Sequence, residues 1–337
     1  MIRDAIAALV ERRDLTEAEA AACMEQIMSG EATPAQLGAF LIALRMKGET
    51  VDEITGLARV MREKALRVQI DGPLIDTCGT GGDGKATFNA STAAAFVVAG
   101  AGGRVAKHGN RAMTSACGSA DVLEALGGKI DLSPEGVAAC IEKAGFGFMF
   151  AQAFHPAMKF VAPVRKEIGV RTVFNILGPL TNPARAQSQV LGVPDGAVAG
   201  KLAQALLRMG SEHALVVHGD DGLDEVSVST TTRVYEVKDG AVVNSSIAPA
   251  DFGLAPHDES AVRGGSPAEN AEALRCVLAG KPGALRDFTL INAAAALVAA
   301  DLASDMKAGL ALATQSIDSG AARERLEAWV RISNEMG

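Results

Sequence analysis

Hydrophobic and polar positions divide the chain into two regimes. Through the first seventy residues no strand-like alternation appears. MIRDAIAALVERRD reads as a charged, amphipathic helix, and the segments after it carry explicit start signals. Thr16 with Glu19 and Thr50 with Glu53 have capping-box spacing. In such a box the threonine hydroxyl takes an N–H three residues on, and the acid reaches back to the threonine N–H. Thr33, Pro34 and Gln36 supply a cap, a first-turn proline and the reciprocal partner. Gly30 and Gly48 fall where helices should stop. These signals predict a small helical domain over residues 1–70, ending near Val68.

From IDGPLIDTCGTGG onward, short apolar runs alternate with helical stretches. Leu74 to Asp76 predicts a strand that enters a glycine loop. STAAAFVVAGAGG follows as a helix of small residues, GRVAKHG as a second strand, and Asp121 to Leu126 as a helix stopped by Gly127-Gly128. Ser133-Pro134-Glu135 opens another helix, and FGFMFA is a buried strand. HPAMKFVAPVRKEIG predicts a helix up to Gly169, and NILGPLTNPA, with a glycine and two prolines, a loop or hinge. EHALVVHGDDGLDEVS predicts a strand ending in an acidic loop, and TTRVYEVKDGAVV a hairpin turning at Asp239-Gly240. Ser266 to Glu269 opens a capped helix, and LINAAAALVAADLA is a buried one. The alternation predicts an α/β fold: the helical domain, then a large α/β domain over 71–337 with a mostly parallel central sheet flanked by helices.

Composition narrows the partners. The 337 residues are 48% hydrophobic but only 4% aromatic, so Ala and Gly fill the core and suit closely packed helices. A net charge of -8 lacks the footprint of a nucleic-acid binder. Cys23, Cys78, Cys117, Cys140 and Cys276 are odd in number, and no two have C-x-x-C spacing. That argues against a zinc site or disulfide framework and for reduced thiols in a cytoplasm. The N-terminus is no signal peptide, and apolar stretches such as AAAFVVAGA fall short of the ~18 residues a membrane helix needs. No membrane partner is expected.

GTGGDGKATFNAST, Gly79 to Thr92, carries the chemistry and fits three readings. A dinucleotide site needs an acid about 20 residues past the loop, where the basic GGRVAKHGNR stands instead. A P-loop needs a hydroxyl directly after its lysine to hold Mg²⁺, and Ala86 has none. The third reading is a loop whose backbone N–H groups and following helix N-terminus wrap a diphosphate. Asn89, Ser91 and Thr92 then add side-chain donors. As a plain alternative, Asn89 and Ser91 merely cap the helix.

Other clusters fit the third reading. Lys107, His108 and Arg111, with Asn110, Thr114, Ser115 and Ser119, suit phosphate and ribose hydroxyls, or form a solvated turn. Asp220, Asp221, Asp224 and Glu225 end a strand, the edge at which open α/β sheets bind ligands. Such carboxylates suit Mg²⁺ held jointly with phosphates, the reading a diphosphate site favours, or taken alone form a solvated acidic turn. Arg165, among Phe160, Val161, Val164 and Ile168, could grip a small carboxylate or simply snorkel. If the segment is helical, His155 lies about two and a half turns before it.

DTCGTGGDG, NAST, KHGNR, GSADVLEALG, HPAMK, PVRKEIGVRTVFNILGPLTNPA and DGLDE stand in the order and spacing of the anthranilate phosphoribosyltransferase family, which the chain resembles over nearly its whole length. The resemblance implies transfer of a 5-phosphoribosyl group from phosphoribosyl diphosphate to the amine of anthranilate, a step of tryptophan biosynthesis. It implies a homodimer formed through the helical parts, which segments within about 155–190 complete. Carried over by position, Gly79, Gly82, Asp83, Thr87, Asn89, Ala90, Ser91, Thr92, Lys107, Ser115 and Ser119 would hold phosphoribosyl diphosphate. Gly79, Asn110 and Arg165 would meet anthranilate, with His108 and His155 nearby, and Ser91, Asp224 and Glu225 would serve two Mg²⁺ ions per subunit. No single catalytic acid or base is implied. Two positions depart from the family pattern: Cys117 stands where Lys is common, and Ser266 where Asp is common. The alternatives are a nucleoside phosphorylase, or a non-catalytic nucleic-acid-binding relative of the same fold.

Overall fold

The computed structural model describes residues 1–112 and 116–337. Four helices open the chain: α1 (Ile2–Val10), α2 (Glu17–Met28), α3 (Pro34–Lys47) and α4 (Val51–Glu63). All three capping boxes form, with the threonine hydroxyls 3.2–3.3 Å from the N–H groups of Glu19, Gln36 and Glu53. Glu53 also ties the layer together. Fully buried, it accepts from the Leu15 N–H at 2.9 Å and pairs with Lys47 Nζ at 3.0 Å. One carboxylate thus joins the α1–α2 link, the end of α3 and the start of α4.

The rest of the chain weaves a seven-stranded sheet. β1 (Ile75–Gly79), α5 (Ala90–Gly100), β2 (Val105–Gly109), α6 (Ser119–Ala125), α7 (Pro134–Ala144) and β3 (Phe146–Phe150) come first. Three short helices follow: α8 (Ala151–Phe154), α9 (Ala162–Ile168) and α10 (Phe174–Leu177). Then come β4 (Ser188–Gly192), α11 (Gly196–Arg208), β5 (His213–Gly219), β6 (Thr232–Lys238) and β7 (Ala241–Ile247). α12 (Pro267–Leu278), α13 (Ala284–Ala299), α14 (Met306–Asp318) and α15 (Ala321–Met336) close the chain. The sheet order is β3-β2-β1-β4-β5-β6-β7, parallel from β3 to β5 and antiparallel beyond. The β6–β7 turn places Asp239 and Gly240 at φ 51° and 76°, the left-handed pair that a two-residue hairpin requires.

Two apolar layers cover the sheet. Along β5, Leu215 and Val217 face the layer of α5, α7, α13 and α15, while Ala214 and Val216 face α11 and the helical layer. This is the period-two alternation of a strand buried on both faces. The Ala-rich composition allows close approach: a Cβ on Gly309 of α14 would come 2.7 Å from the Ala294 carbonyl oxygen of α13. Among the described residues, no helix is long and apolar enough to cross a membrane.

Several sequence expectations need correction. The first strand starts at Ile75 and runs on through Gly79, because Gly79 pairs with Gly192 in the β1–β4 ladder. The segment from His155 to Gly169 is not one helix. A 3₁₀ turn over Pro156–Phe160 breaks at Val161, and α9 restarts with Pro163 in its first turn. Proline lacks the N–H needed to continue a helix yet is favoured where one begins. NILGPLTNPA is helical rather than loop, as α10 and a 3₁₀ turn over Gly178–Thr181, with Pro179 again in a first turn. The helix expected from Asp121 begins at Ser119, since the Asp121 carboxylate takes the Gly118 N–H from within the first turn. The buried helix expected from Leu290 starts earlier, at Ala284. β4 and α11 arise from a stretch to which the pattern assigns no element.

Candidate functional site

The chain lays β1, β2 and β3 to one side, then returns to place β4 on the other side of β1. In open α/β sheets the crevice at such a reversal binds ligands, outside the carboxyl ends of the strands. Here those ends are Gly79 and Gly192, paired across the ladder. Asp224 lies over both. A Cβ at Gly192 would fall on the Asp224 carbonyl oxygen, and one at Gly79 on its carboxylate. The Asp224 carboxylate in turn accepts the Gly81 N–H at 2.8 Å.

Beside it, Lys107 of β2 is buried and reaches the Thr77 carbonyl and, at 3.3 Å, the Ser91 hydroxyl. The Ser91 N–H at the start of α5 meets the Glu225 carboxylate at 3.3 Å. Ser91, Lys107, Asp224 and Glu225 therefore form one cluster on the helix N-terminus. Asp224 and Glu225 are half-buried, and both carboxyls are raised above their usual range. Burial, then repulsion from Asp83, raises Asp224 to about 6. Burial, then repulsion from Asp224, raises Glu225 to about 8. Burial correspondingly lowers the Lys107 ammonium.

Three polar atoms around the loop, Thr80 Oγ1, Asp83 Oδ2 and Thr92 Oγ1, are buried with no partner among the described residues. A buried, unsatisfied polar group costs about 1–3 kcal/mol, so such a concentration marks a site completed by a ligand. No set of three His, Cys, Asp or Glu side chains converges as a metal cage among the described residues. Two crowded carboxylates and a hydroxyl fit instead a hard cation that takes its other oxygens from substrate phosphates and water.

The capping alternative for Asn89 does not hold. Asn89 occupies the N-cap position of α5 without a side-chain cap bond. Its amide donates to the Cys117 carbonyl at 3.2 Å, and its oxygen accepts from Asn270 at 2.9 Å. The first turn of α5 is therefore capped not by Asn89 but by the Glu225 carboxylate on the Ser91 N–H. Asn270, buried at the start of α12, has no signal in the sequence beyond its neighbouring cap. Ala90 is buried as the first residue of α5. Backbone pairing of 86–88 with 262–264 holds Thr87. Lys85 pairs with Glu259 at 2.8 Å rather than lying over the loop, a second failure of the P-loop reading.

On the β2 side, His108 and His155 form a neutral chain. Their Nε2 atoms are 3.2 Å apart, and His108 Nδ1 lies 3.2 Å from the Gly178 carbonyl. A carbonyl only accepts, so His108 carries its proton on Nδ1. Burial pushes His108 down to about 3 and His155 to about 4, so each imidazole holds one proton. His155 must therefore donate from Nε2, and its Nδ1 is left as a buried lone pair without a partner. Arg165 is half-buried, its guanidinium 5.6 Å from the Phe174 ring centre, with no carboxylate paired to it among the described residues. Ser119 donates to the Asn110 carbonyl at 3.3 Å. Among the described residues no hydrogen bond joins Asn110 or Arg165 to the carboxylates or the histidine pair. Thr114 and Ser115 lie outside the described residues. Arg171, which lies inside the stretch from Pro163 to Ala184 but has no assigned role there, holds the glycine loop by two carbonyls.

The two departures have separate outcomes. Ser266 caps α12 in a full box with Glu269, a position where Ser and Asp serve equally. Cys117 is buried in the larger apolar core, its thiol raised to about 11 by burial.

The helical bundle domain of the glycosyl transferase family matches residues 3–65, and that family's a/b domain matches residues 71–323. The anthranilate phosphoribosyltransferase of Chloroflexus aurantiacus is 62% identical over 334 residues, 98% of each chain. The crystal structure of the Thermus thermophilus enzyme shares 45% identity at a TM-score of 0.93, covering 98% of this chain and 99% of that one. The Saccharomyces cerevisiae enzyme in complex with PRPP and Mg shares 30% at 0.91, covering 99% and 98%. The same yeast enzyme with 4-fluoroanthranilate shares 28% at 0.89, with the same coverage. With its signature residues gathered at the switch point and its relatives matched end to end, the chain belongs to the anthranilate phosphoribosyltransferase family.

Proposed function

We propose that the protein transfers the 5-phosphoribosyl group of phosphoribosyl diphosphate to the anthranilate amine, releasing diphosphate, in tryptophan biosynthesis. The observation that carries this reading is the cluster of Ser91, Lys107, Asp224 and Glu225 at the α5 N-terminus, ringed by Thr80, Asp83 and Thr92 atoms without a partner among the described residues. Gly79, Gly82, Asp83, Thr87, Asn89, Ala90, Ser91, Thr92, Lys107, Ser115 and Ser119 hold phosphoribosyl diphosphate. Ser91, Asp224 and Glu225 would hold two Mg²⁺ ions, whose charge would neutralise that of the leaving diphosphate. The positive end of the α5 dipole and Lys107 supply further positive potential. Gly79, Asn110 and Arg165 orient anthranilate, with His108 and His155 beside it.

The ribose C1–oxygen bond breaks with its electron pair leaving on diphosphate, the amine lone pair closes the new C–N bond, and the ammonium so formed releases its extra proton to the departing diphosphate or to water. An aromatic amine is uncharged at neutral pH, so the site has to position it rather than deprotonate it first. The division into residues 1–70, completed by 155–190, and 71–337 is supported by Val161, Val164, Phe174 and Leu177, which share a core with α1–α4. Exposed Met1, Val10 and Met46 on the helical layer support a homodimer. Five free thiols, four of them buried, support a reducing cytoplasm.

Purified protein with anthranilate, phosphoribosyl diphosphate and Mg²⁺ should consume anthranilate fluorescence and release diphosphate. Turnover of a nucleoside with inorganic phosphate, or neither activity, overturns the reading.

A further inference from the structure

Arg171 stands between Arg165 and the hinge, and the reaction as proposed above gives it no role. Its Nη1 donates to the Gly82 carbonyl at 2.7 Å and its Nη2 to the Gly81 carbonyl at 3.1 Å. Both glycines are left-handed, at φ 68° and 77°, a conformation that turns two successive carbonyls towards one guanidinium. The opposite edge of the loop faces the site: the Gly81 N–H is on Asp224, and no acceptor takes the Gly82 N–H among the described residues. Gly82 admits the guanidinium only because it lacks a Cβ. The Arg171 charge also favours ionised Asp224.

The segment that carries Arg171 is short and tied at both ends. α9 ends at Ile168, Gly169 turns left-handed at φ 68°, and the Thr172 N–H donates to the Asn175 side-chain oxygen at 2.9 Å to start α10. Arg165 of α9 lies over Phe174 of α10, which closes the segment into a loop. A shift of Arg165 on gripping a carboxylate therefore reaches Arg171 through six residues of backbone.

We propose that Arg171 is a positioning residue that sets the diphosphate loop and couples its occupancy to that of the Arg165 site. The inference rests on the proposed reaction. Binding of one ligand then favours the other, and the effect is reciprocal.

The test uses Mg²⁺ with inorganic diphosphate and anthranilate, a pair that cannot react because no ribose is present. Diphosphate affinity is measured by calorimetry with and without saturating anthranilate. In the unaltered protein anthranilate should tighten diphosphate about fivefold or more, the lower end of usual coupling. Arg171→Gln should weaken diphosphate about tenfold and bring that ratio to about one, while anthranilate alone binds within about twofold of normal. Arg171→Lys keeps the charge but loses the two-pronged grip. It should recover part of the affinity and little of the coupling, and it replaces the Gln variant should that one lose stability. A ratio of one in the unaltered protein, or an unchanged ratio in both variants, overturns the inference alone. Failure of the unaltered protein to bind either ligand overturns the proposed function and this inference with it.

Discussion

Gly192 tests the geometry of the site from a position outside every motif. It ends β4, is buried, and pairs with Gly79 in β1 and Val217 in β5. A Cβ there would coincide with the Asp224 carbonyl oxygen and crowd that residue's Cα at 3.1 Å. The obstacle is backbone, so no rotamer change relieves it. Gly192→Ala must push the 224–225 backbone away from the sheet, and both carboxylates move with it. Overpacking of this kind costs about 1–3 kcal/mol. At about 2–4 °C per kcal/mol for a domain of this size, thermal unfolding should fall by several degrees. The catalytic loss should be larger than that loss of stability implies. A displacement of about 1 Å in a positioned group costs on the order of 100-fold in rate. Steady-state kinetics with varied Mg²⁺ should show a raised Mg²⁺ requirement and a kcat lower by that order. A Gly192→Ala protein that is folded and has normal Mg²⁺ dependence would refute the placement of Asp224 over the switch point.

Two further perturbations separate electrostatics from packing. Glu225 is raised from 4.5 to about 8, so the native state keeps a proton that the unfolded chain has released. The resulting stability is complete below about pH 4.5 and is lost as pH rises towards 8. In chelator, the urea midpoint of the unaltered protein should fall relative to Glu225→Gln between pH 5 and 8. The difference should be on the order of 1–2 kcal/mol after allowance for solvent access. Mg²⁺ with diphosphate should restore the unaltered protein only, and parallel pH curves would sink this account. Ser266→Asp should leave stability within about 0.5 kcal/mol, whereas Ser266→Ala should lose about 1 kcal/mol. Equal losses in urea unfolding would show that capping is not what Ser266 does.

The helical layer was legible because its signals are local. Thr16, Thr33 and Thr50 each name a partner three residues away, and each box forms. The hairpin at Asp239-Gly240 was legible for the same reason. What stayed hidden depends on neighbours far along the chain. SQVLG becomes a strand because β1 and β5 flank it on both sides. The prolines after His155 signal helix starts as readily as loops, and packing against α3 and α4 decides the matter. In the site, the glycine loop, Lys107, Asp224 and Glu225 were readable as residue types suited to a diphosphate and a hard cation. Asn270 and Arg171 were not, since each acts on backbone or amide groups more than eighty residues away.

The histidine pair bears on why the site needs no general base. His108 has a single basic nitrogen, Nε2, and the His155 N–H already occupies it. The free lone pair of the chain is His155 Nδ1, which is buried. With His155 held near 4, its conjugate acid is too strong for the imidazole to draw a proton from an amine at neutral pH. Protonating either ring would leave a cation in a buried pocket, and at His108 Lys107 adds repulsion, so the pair is held neutral. What the chain does supply is fixed geometry. It links the end of β2 to the Gly178 carbonyl on one side and to the start of the 156–160 turn on the other. Those are the segments that connect the sheet to the helical layer. A strut that cannot titrate in the working range holds that junction at constant geometry, which is what a reaction driven by alignment and charge neutralisation requires.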